Sequence, residues 1–185
     1  MMTRRGLLVV FVVLIAGTSA MMTALKRHGA PLEHPGGYRI GCLELTPSAE
    51  GAKEIVKAWS DKHLLDVALE DIRFDYAFIA LYTATLALTC FFGASLFSGW
   101  FARIGTILGW LMFVAGPMDV FENIGMTAEI GGNYSVAPVV FTVSSIKWII
   151  SIVASLYAIP TLVTMLIRLP SFLRQDRMHR NADAR

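Results

Sequence analysis

Residues 104–124 read IGTILGWLMFVAGPMDVFENI, an apolar stretch whose last turns contain Asp119, Glu122 and Asn123. About 20 apolar residues are enough for a helix to cross a bilayer, so the stretch predicts a membrane-spanning helix. Ionisable side chains are costly inside such a helix and usually face the interior of a helix bundle, where they mark a site. The stretch therefore predicts both the class of fold and the place where function should be sought.

The composition of the whole chain agrees with this prediction. It has 185 residues, of which 55% are hydrophobic, and its mean hydropathy of +0.58 excludes an ordinary soluble domain. Three other stretches are long and apolar enough to cross a bilayer. We therefore expect an all-α membrane protein, a four-transmembrane-helix bundle with spans at residues 6–25, 74–96, 104–124 and 138–167.

The distribution of arginine predicts the topology. Arg4 and Arg5 precede the first span, Arg103 lies between the second and third, and further arginines follow the fourth, whereas residues 127–137 contain no Lys or Arg. This is the positive-inside pattern for two cytoplasmic termini. We expect a multi-pass protein of the bacterial inner (plasma) membrane. Its parts outside the spans are a cytoplasmic N-terminus at 1–5, an extracytoplasmic segment at 26–73 and a basic cytoplasmic tail at 168–185.

The first span has a second interpretation. Arg4 and Arg5, an apolar run and the small residues 17–20 also describe a cleavable signal peptide. The apolar run continues through Met22 and Leu25 without a clear break, which favours an uncleaved signal anchor.

The extracytoplasmic segment contains one amphipathic helix. Thr46 and Pro47 are typical of a helix start, with Thr as the N-cap and Pro in the first turn. The apolar face is predicted to consist of Ala52, Ile55, Val56, Trp59 and His63. Because tryptophan favours the membrane–water interface, we expect Trp59 to lie there and to contribute to ligand binding.

Small or polar residues recur at helical spacing on three spans. On the second span the set is Asp75, Phe78, Tyr82, Thr85 and Thr89; on the third it is Gly105, Gly109, Met112, Gly116, Asp119 and Asn123; on the fourth it is Ser144, Lys147, Ser151, Ser155 and Ala158. Such faces allow close approach of membrane helices. We therefore expect the three faces to meet, with their ionisable groups in the outer third of the bilayer.

Specific roles follow from charge. We expect Lys147 to pair with Asp119, which leaves Glu122 or Asp75 as the proton-carrying, catalytic group. Asp119 and Lys147 are themselves ligand-binding candidates, together with Asn123, Tyr82 and Trp59. Alternatively, the same polar groups only lock the register of the helices.

The sequence indicates no cofactor and no metal site. His28, Glu33 and His34 lie in a loop without a third close histidine, and no histidine lies within a span to hold a haem. A nucleic-acid partner is not expected, and the basic tail fits topology and contact with membrane lipids better.

A resemblance adds to this interpretation. Its residues are Leu43-Glu44-Leu45, Trp59, Asp75-Tyr76-Ala77-Phe78, Tyr82, Asp119-Val120-Phe121-Glu122-Asn123 and Lys147. The pattern, from about Ile40 to Tyr157, resembles a family of uncharacterised bacterial four-span membrane proteins. The resemblance implies the topology and the choice of residues, and no activity. The layout is also loosely similar to the sterol-isomerase-like membrane barrels, whose motif residues do not occur here in order.

Three functions remain open at this point. The first is a non-enzymatic protein whose polar pocket in the outer leaflet binds a lipid-like or small amphipathic ligand, or supports a partner membrane protein. The second is a membrane-embedded acid–base enzyme, an isomerase or hydrolase acting on a lipid or isoprenoid, with Glu122 or Asp75 as proton donor. The third is proton-coupled transport, which would require a homodimer because four spans are few for a transporter.

Overall fold

The structure, a computed structural model, describes residues 4–33 and 37–183, with side chains described between residues 9 and 167. Residues 1–3 and 184–185 of the predicted cytoplasmic ends, and His34, lie outside the described residues. The helices are α1 (Arg4–His28), α2 (Ile40–Glu44), α3 (Ala49–Asp61), α4 (Leu65–Leu96), α5 (Gly99–Ile130) and α6 (Ala137–Asp183), with short 3₁₀ helices at Ala30–Glu33 and Tyr134–Val136.

Four of these helices have segments long and apolar enough to cross a membrane: Val9–His28, Leu65–Leu96, Gly99–Ile130 and Tyr134–Ile167. The prediction of an all-α, four-helix bundle is thus confirmed, and the chain is a multi-pass membrane protein. The helices are longer than the predicted spans. At 1.5 Å per residue α4 and α5 are each about 48 Å long, more than the roughly 30 Å of hydrocarbon in a bilayer. Their ends therefore extend beyond the membrane core.

The helix α4 is at the centre of the bundle and packs against α1, α5 and α6. Glycines on α5 permit the closest contact, as the small-residue face predicts. A Cβ atom on Gly109 would lie 2.6 Å from the ring of Phe91, and one on Gly105 would lie 2.8 Å from the carbonyl oxygen of Cys90. A larger residue at either position would push α5 away from α4.

Residues 37–64, which contain α2 and α3, form what we call the cap over one end of the bundle. Ala52, Ile55, Val56 and Trp59 are buried on the inner face of α3, which confirms the amphipathic helix. This face joins residues of α4, α5 and α6 in a single apolar core. His63 does not belong to it, because α3 ends at Asp61 and His63 is exposed in a left-handed conformation with φ of 56°.

Two predictions about the cap are wrong. Ser48, not Thr46, is the N-cap of α3: its hydroxyl accepts a hydrogen bond from the Gly51 N–H at 3.1 Å. The Thr46 hydroxyl donates to the Cys42 carbonyl oxygen at the end of α2 and is therefore engaged elsewhere. Trp59 does not lie at a membrane–water interface, because it is completely buried and its indole N–H donates to the Tyr38 carbonyl oxygen at 2.7 Å.

Candidate functional site

One lysine and three carboxylates meet beneath the cap, in what we call the Lys147 cluster: Lys147, Glu44, Asp119 and Glu122. Lys147 Nζ lies 2.9 Å from Glu44 Oε1, 2.9 Å from Asp119 Oδ1 and 2.8 Å from Glu122 Oε2. Each acid comes from a helix that packs on α6, Glu44 from the last residue of α2 and the other two from adjacent turns of α5. The predicted pairing of Lys147 with Asp119 is present, together with two further acids.

The three carboxylates occupy all the hydrogen-bond donors of Lys147. An ammonium group has three N–H donors and no acceptor, and here three carboxylates accept from it. Charge-assisted hydrogen bonds of this kind are about twice as strong as neutral ones. In this arrangement Lys147 has neither a lone pair to act as a nucleophile nor a donor left for a ligand.

A surrounding set of hydrogen bonds orients the acids. The Tyr82 hydroxyl on α4 donates to Asp119 Oδ2 at 2.6 Å, so the predicted ligand-binding Tyr82 instead contacts the cluster itself. The Trp148 indole N–H donates to Glu44 Oε1, and the Lys147 ammonium lies 5.3 Å from the centre of the same ring. Four elements, α2, α4, α5 and α6, are therefore joined through one lysine.

Asp75 and Asn123 form a separate pair next to the cluster. The Asn123 amide donates to Asp75 Oδ2 at 2.8 Å, which links α4 to α5. Asp75 is close enough to Asp119 and Lys147 to interact electrostatically with both. The two candidate catalytic acids thus have different partners: Glu122 contacts the Lys147 ammonium, and Asp75 accepts from the Asn123 amide.

Burial makes these contacts energetically important. Glu122 is 1% exposed, Asp119 5%, Lys147 6% and Glu44 7%. Removing such charges from water costs several kcal/mol each, and only close pairing with good geometry offsets this cost. Lys147 contacts three acids and a fourth, Asp75, lies beside them, so the site carries surplus negative charge whenever all of them are ionised.

Glu44 is the main residue that the sequence-based site omitted. It lies in the segment between the first two spans, where no helical spacing connects it with the membrane residues. The sequence signal for Glu44 is its position between Leu43 and Leu45, because a short apolar segment tends to be buried and an acid within it is then buried as well. Trp59, predicted as a ligand-binding residue, lies in the apolar core of the cap and not among the cluster residues.

Two grooves lie on the membrane-facing surface, away from the acids. The larger, of about 680 Å³, runs between α4 and α5. It is lined by apolar and small residues, among them Ala80, Ala84, Phe113, Gly116 and Val120. The smaller, of about 310 Å³, follows α6 beside Trp148 and Ser151. Neither groove is lined by Asp75, Asp119, Glu122 or Lys147.

Within the described residues, no group of three or more His, Cys, Asp and Glu side chains is arranged to hold a metal ion. In the Lys147 cluster the ammonium group already occupies the centre of the three carboxylates, the position that a cation would need. No protein family, curated protein or solved structure matches this chain.

Proposed function

We propose that the protein is a non-enzymatic membrane protein that binds a lipid-like or small amphipathic ligand on its membrane-facing surface. The observation that carries this proposal is the α4–α5 groove. Its volume of about 680 Å³ lies within the range of small-molecule sites, roughly 300–1,000 Å³, and its lining is apolar. Within a membrane such a lining favours a hydrocarbon chain over a polar solute.

The Lys147 cluster has a supporting role in this proposal. Its lysine is saturated by three acids and its members are buried, so it holds the cap and the spans in register. Polar contacts of this kind help to specify how membrane helices pack. The groove then has a fixed shape, because α4 and α5 are joined by Tyr82–Asp119 and by Asn123–Asp75.

The proposed topology places the cap outside the bacterial inner membrane and both termini in the cytoplasm. Arg103 lies near the start of α5, close to the α4–α5 connection and at the end of these helices opposite the cap, where the positive-inside rule favours a cytoplasmic location. In a background with the free cysteines replaced (Cys42→Ser, Cys90→Ala), a cysteine introduced at position 183 should react with a membrane-impermeant maleimide only after the cells are lysed. Labelling in intact spheroplasts would reverse the topology.

Blocking the groove tests the ligand. Ala84→Phe should displace a bound molecule, whereas Ile149→Phe, at a 63% exposed position on α6, is the matched control. Native mass spectrometry of the purified proteins should show one lipid-like species enriched on the wild type and on Ile149→Phe, and lost from Ala84→Phe. Lipids present only in bulk proportions on all three would contradict the proposal. A protein chain that co-purifies in place of the lipid would favour support of a partner membrane protein.

An acid–base enzyme, an isomerase or hydrolase of a lipid or isoprenoid, is the second candidate. The observation that favours it is the excess of acids over bases around Lys147, an environment in which carboxyl groups can carry protons. Under this alternative Glu122 or Asp75 is the proton donor. Membrane lipid extract incubated with the purified protein should then give a new product by liquid chromatography and mass spectrometry. That product should disappear with Glu122→Gln or Asp75→Asn and persist with Glu54→Gln, which alters an exposed acid of the cap.

A further inference from the structure

A second group of charged residues lies at the junction of α1 and α4. His28, the last residue of α1, is close to two successive acids of α4. Its Nε2 lies 3.2 Å from Glu70 Oε2, and its Nδ1 lies 3.4 Å from Asp71 Oδ1. The edge of the Phe74 ring packs against the imidazole at a centroid distance of 5.1 Å. None of these residues takes part in the Lys147 cluster.

The arrangement fits a charged histidine. A neutral imidazole has one N–H and one lone pair, so one of its nitrogens would direct a lone pair at a carboxylate oxygen. An imidazolium has an N–H on both nitrogens and can serve both acids. The end of α1 favours the cation as well, because a helix C-terminus carries partial negative charge. Asp71 is 5% exposed and its Oδ1 has no hydrogen-bond partner, so its contact with His28 Nδ1 at 3.4 Å is an ion pair only when the imidazole is charged.

Few buried side chains hold the membrane-spanning part of α1. Most of its residues in the membrane are not buried, and its contacts are chiefly with α4. Midway along the helix, the hydroxyls of Thr18 and Thr85 are 2.9 Å apart, and Gly17 packs near Leu81. At its cap end α1 is fixed by the charged contacts at His28 together with Leu32, which follows in the next 3₁₀ helix and is 1% exposed in the apolar core of the cap.

We infer that His28, Glu70 and Asp71 form a pH-sensitive clamp that docks α1 on α4 while His28 is protonated and releases the end of α1 when the imidazole loses its proton. Histidine is the side chain that ordinarily changes charge between about pH 5 and 8. The other charged groups on the elements that meet here are Lys26 and Arg27 in the last turn of α1, Glu33 in the following 3₁₀ helix, and Asp66 and Arg73 on α4. Side chains of those types ordinarily keep their charge over this interval. The clamp is thus closed at the acidic end of the interval and open at the alkaline end.

A distance measurement on the full chain tests the clamp. Spin labels at positions 22 and 124 occupy exposed sites on α1 and α5, in a background with the free cysteines replaced (Cys42→Ser, Cys90→Ala). Pulsed electron paramagnetic resonance in lipid nanodiscs then gives the distance distribution from pH 5.5 to 8. We expect the ratio of docked to undocked α1 to fall roughly tenfold across this range, the size of effect that one charge-assisted hydrogen bond produces.

Variants separate the clamp from other causes. His28→Arg should stay docked at every pH, because the cation is permanent, and Asp71→Asn should be partly undocked at every pH. His63→Asn is the matched control, since His63 is exposed and asparagine accepts its left-handed backbone conformation. It should keep the wild-type dependence. A wild-type distribution that does not change with pH would overturn the inference, and so would an unaltered pH dependence in His28→Arg.

Discussion

Replacing Lys147 by methionine is the most informative single perturbation of this protein. Methionine keeps a long apolar side chain but removes the ammonium group, which leaves Glu44, Asp119 and Glu122 facing one another. The side chains of these acids are at most 9% exposed, so water does not readily replace the lost partner. Removing one partner of a buried ion pair typically costs about 3–5 kcal/mol of unfolding free energy. Because three acids lose the same partner, we expect a loss near the upper end, about 5 kcal/mol.

Compensating changes should recover more of the lost stability as more of the acids are neutralised. Lys147→Met with Asp119→Leu still leaves two buried carboxylates, Glu44 and Glu122, so it should recover only part of the stability. Lys147→Met with Glu44→Gln, Asp119→Asn and Glu122→Gln removes the charge of every acid that contacts the lysine, leaving Asp75 with its Asn123 partner, and should recover most of it. Non-additivity is expected throughout, because all four side chains share one contact.

The assay is reversible unfolding by SDS in mixed detergent micelles, followed by circular dichroism. Lys53→Met, on the exposed face of α3, is the control for the loss of a lysine and should stay within about 0.5 kcal/mol of the wild type. A loss below about 1 kcal/mol for Lys147→Met would show that the cluster does not stabilise the fold. Full recovery by Asp119→Leu alone would show that Asp119 is the sole effective partner and would refute the three-acid description.

Three further predictions concern other parts of the chain. Gly105→Ala should lower the unfolding free energy by about 1–3 kcal/mol in the same SDS assay, because the added methyl group would collide with Tyr157. Gly41→Ala is the control and should be close to neutral, because its methyl group would lie 3.9 Å from the Glu44 carboxylate. The hydrogen bond to Glu54 raises the pKa of Tyr38. Glu54→Gln should therefore lower that pKa toward its ordinary value, as measured from carbon-13 spectra of ring-labelled tyrosine. In the wild type the hydrogen bond is present at neutral pH and is lost as the phenol deprotonates. Intact-mass measurement of protein from membranes should show that α1 is retained, and the loss of about the first twenty residues would show cleavage as a signal peptide.

The sequence predicted the bundle well because apolar length and helical spacing are local properties. The spacing of Asp119 and Asn123 on one span and of Lys147 on another placed these residues on facing helices, and the structure has Lys147 on Asp119. Tyr82 was placed on the correct face for the same reason, and its hydroxyl contacts Asp119. Helical spacing does not predict how many partners Lys147 has, because that number depends on how far each neighbouring side chain extends.

The cap was harder to predict because its contacts are not periodic. The hydroxyls of Thr46 and Ser48 can both serve as N-caps, and Thr46 instead donates to the Cys42 carbonyl oxygen four residues earlier, in α2. Tryptophan is a residue type expected at a membrane–water interface, but the burial of Trp59 depends on how α3 lies over the ends of α4 and α5. Tertiary contact decided the burial of Trp59, whereas competing local hydrogen bonds decided the N-cap.

Glu44 explains why the cap and the bundle behave as one unit. A lysine inside a span needs a partner, and an acid in a short apolar segment needs a partner as well. Lys147 and Glu44 are partners for each other, since Glu44 extends inward from α2 and accepts from the Lys147 ammonium. Glu44 also accepts from the Trp148 indole N–H. Lifting the cap would therefore strand a carboxylate and remove one of the three acceptors of Lys147. Glu44→Gln should consequently increase hydrogen exchange in α2 and α3 more than in α5. Equal protection of the cap in this variant and in the wild type would show that the apolar core around Trp59 holds the cap without the ion pair.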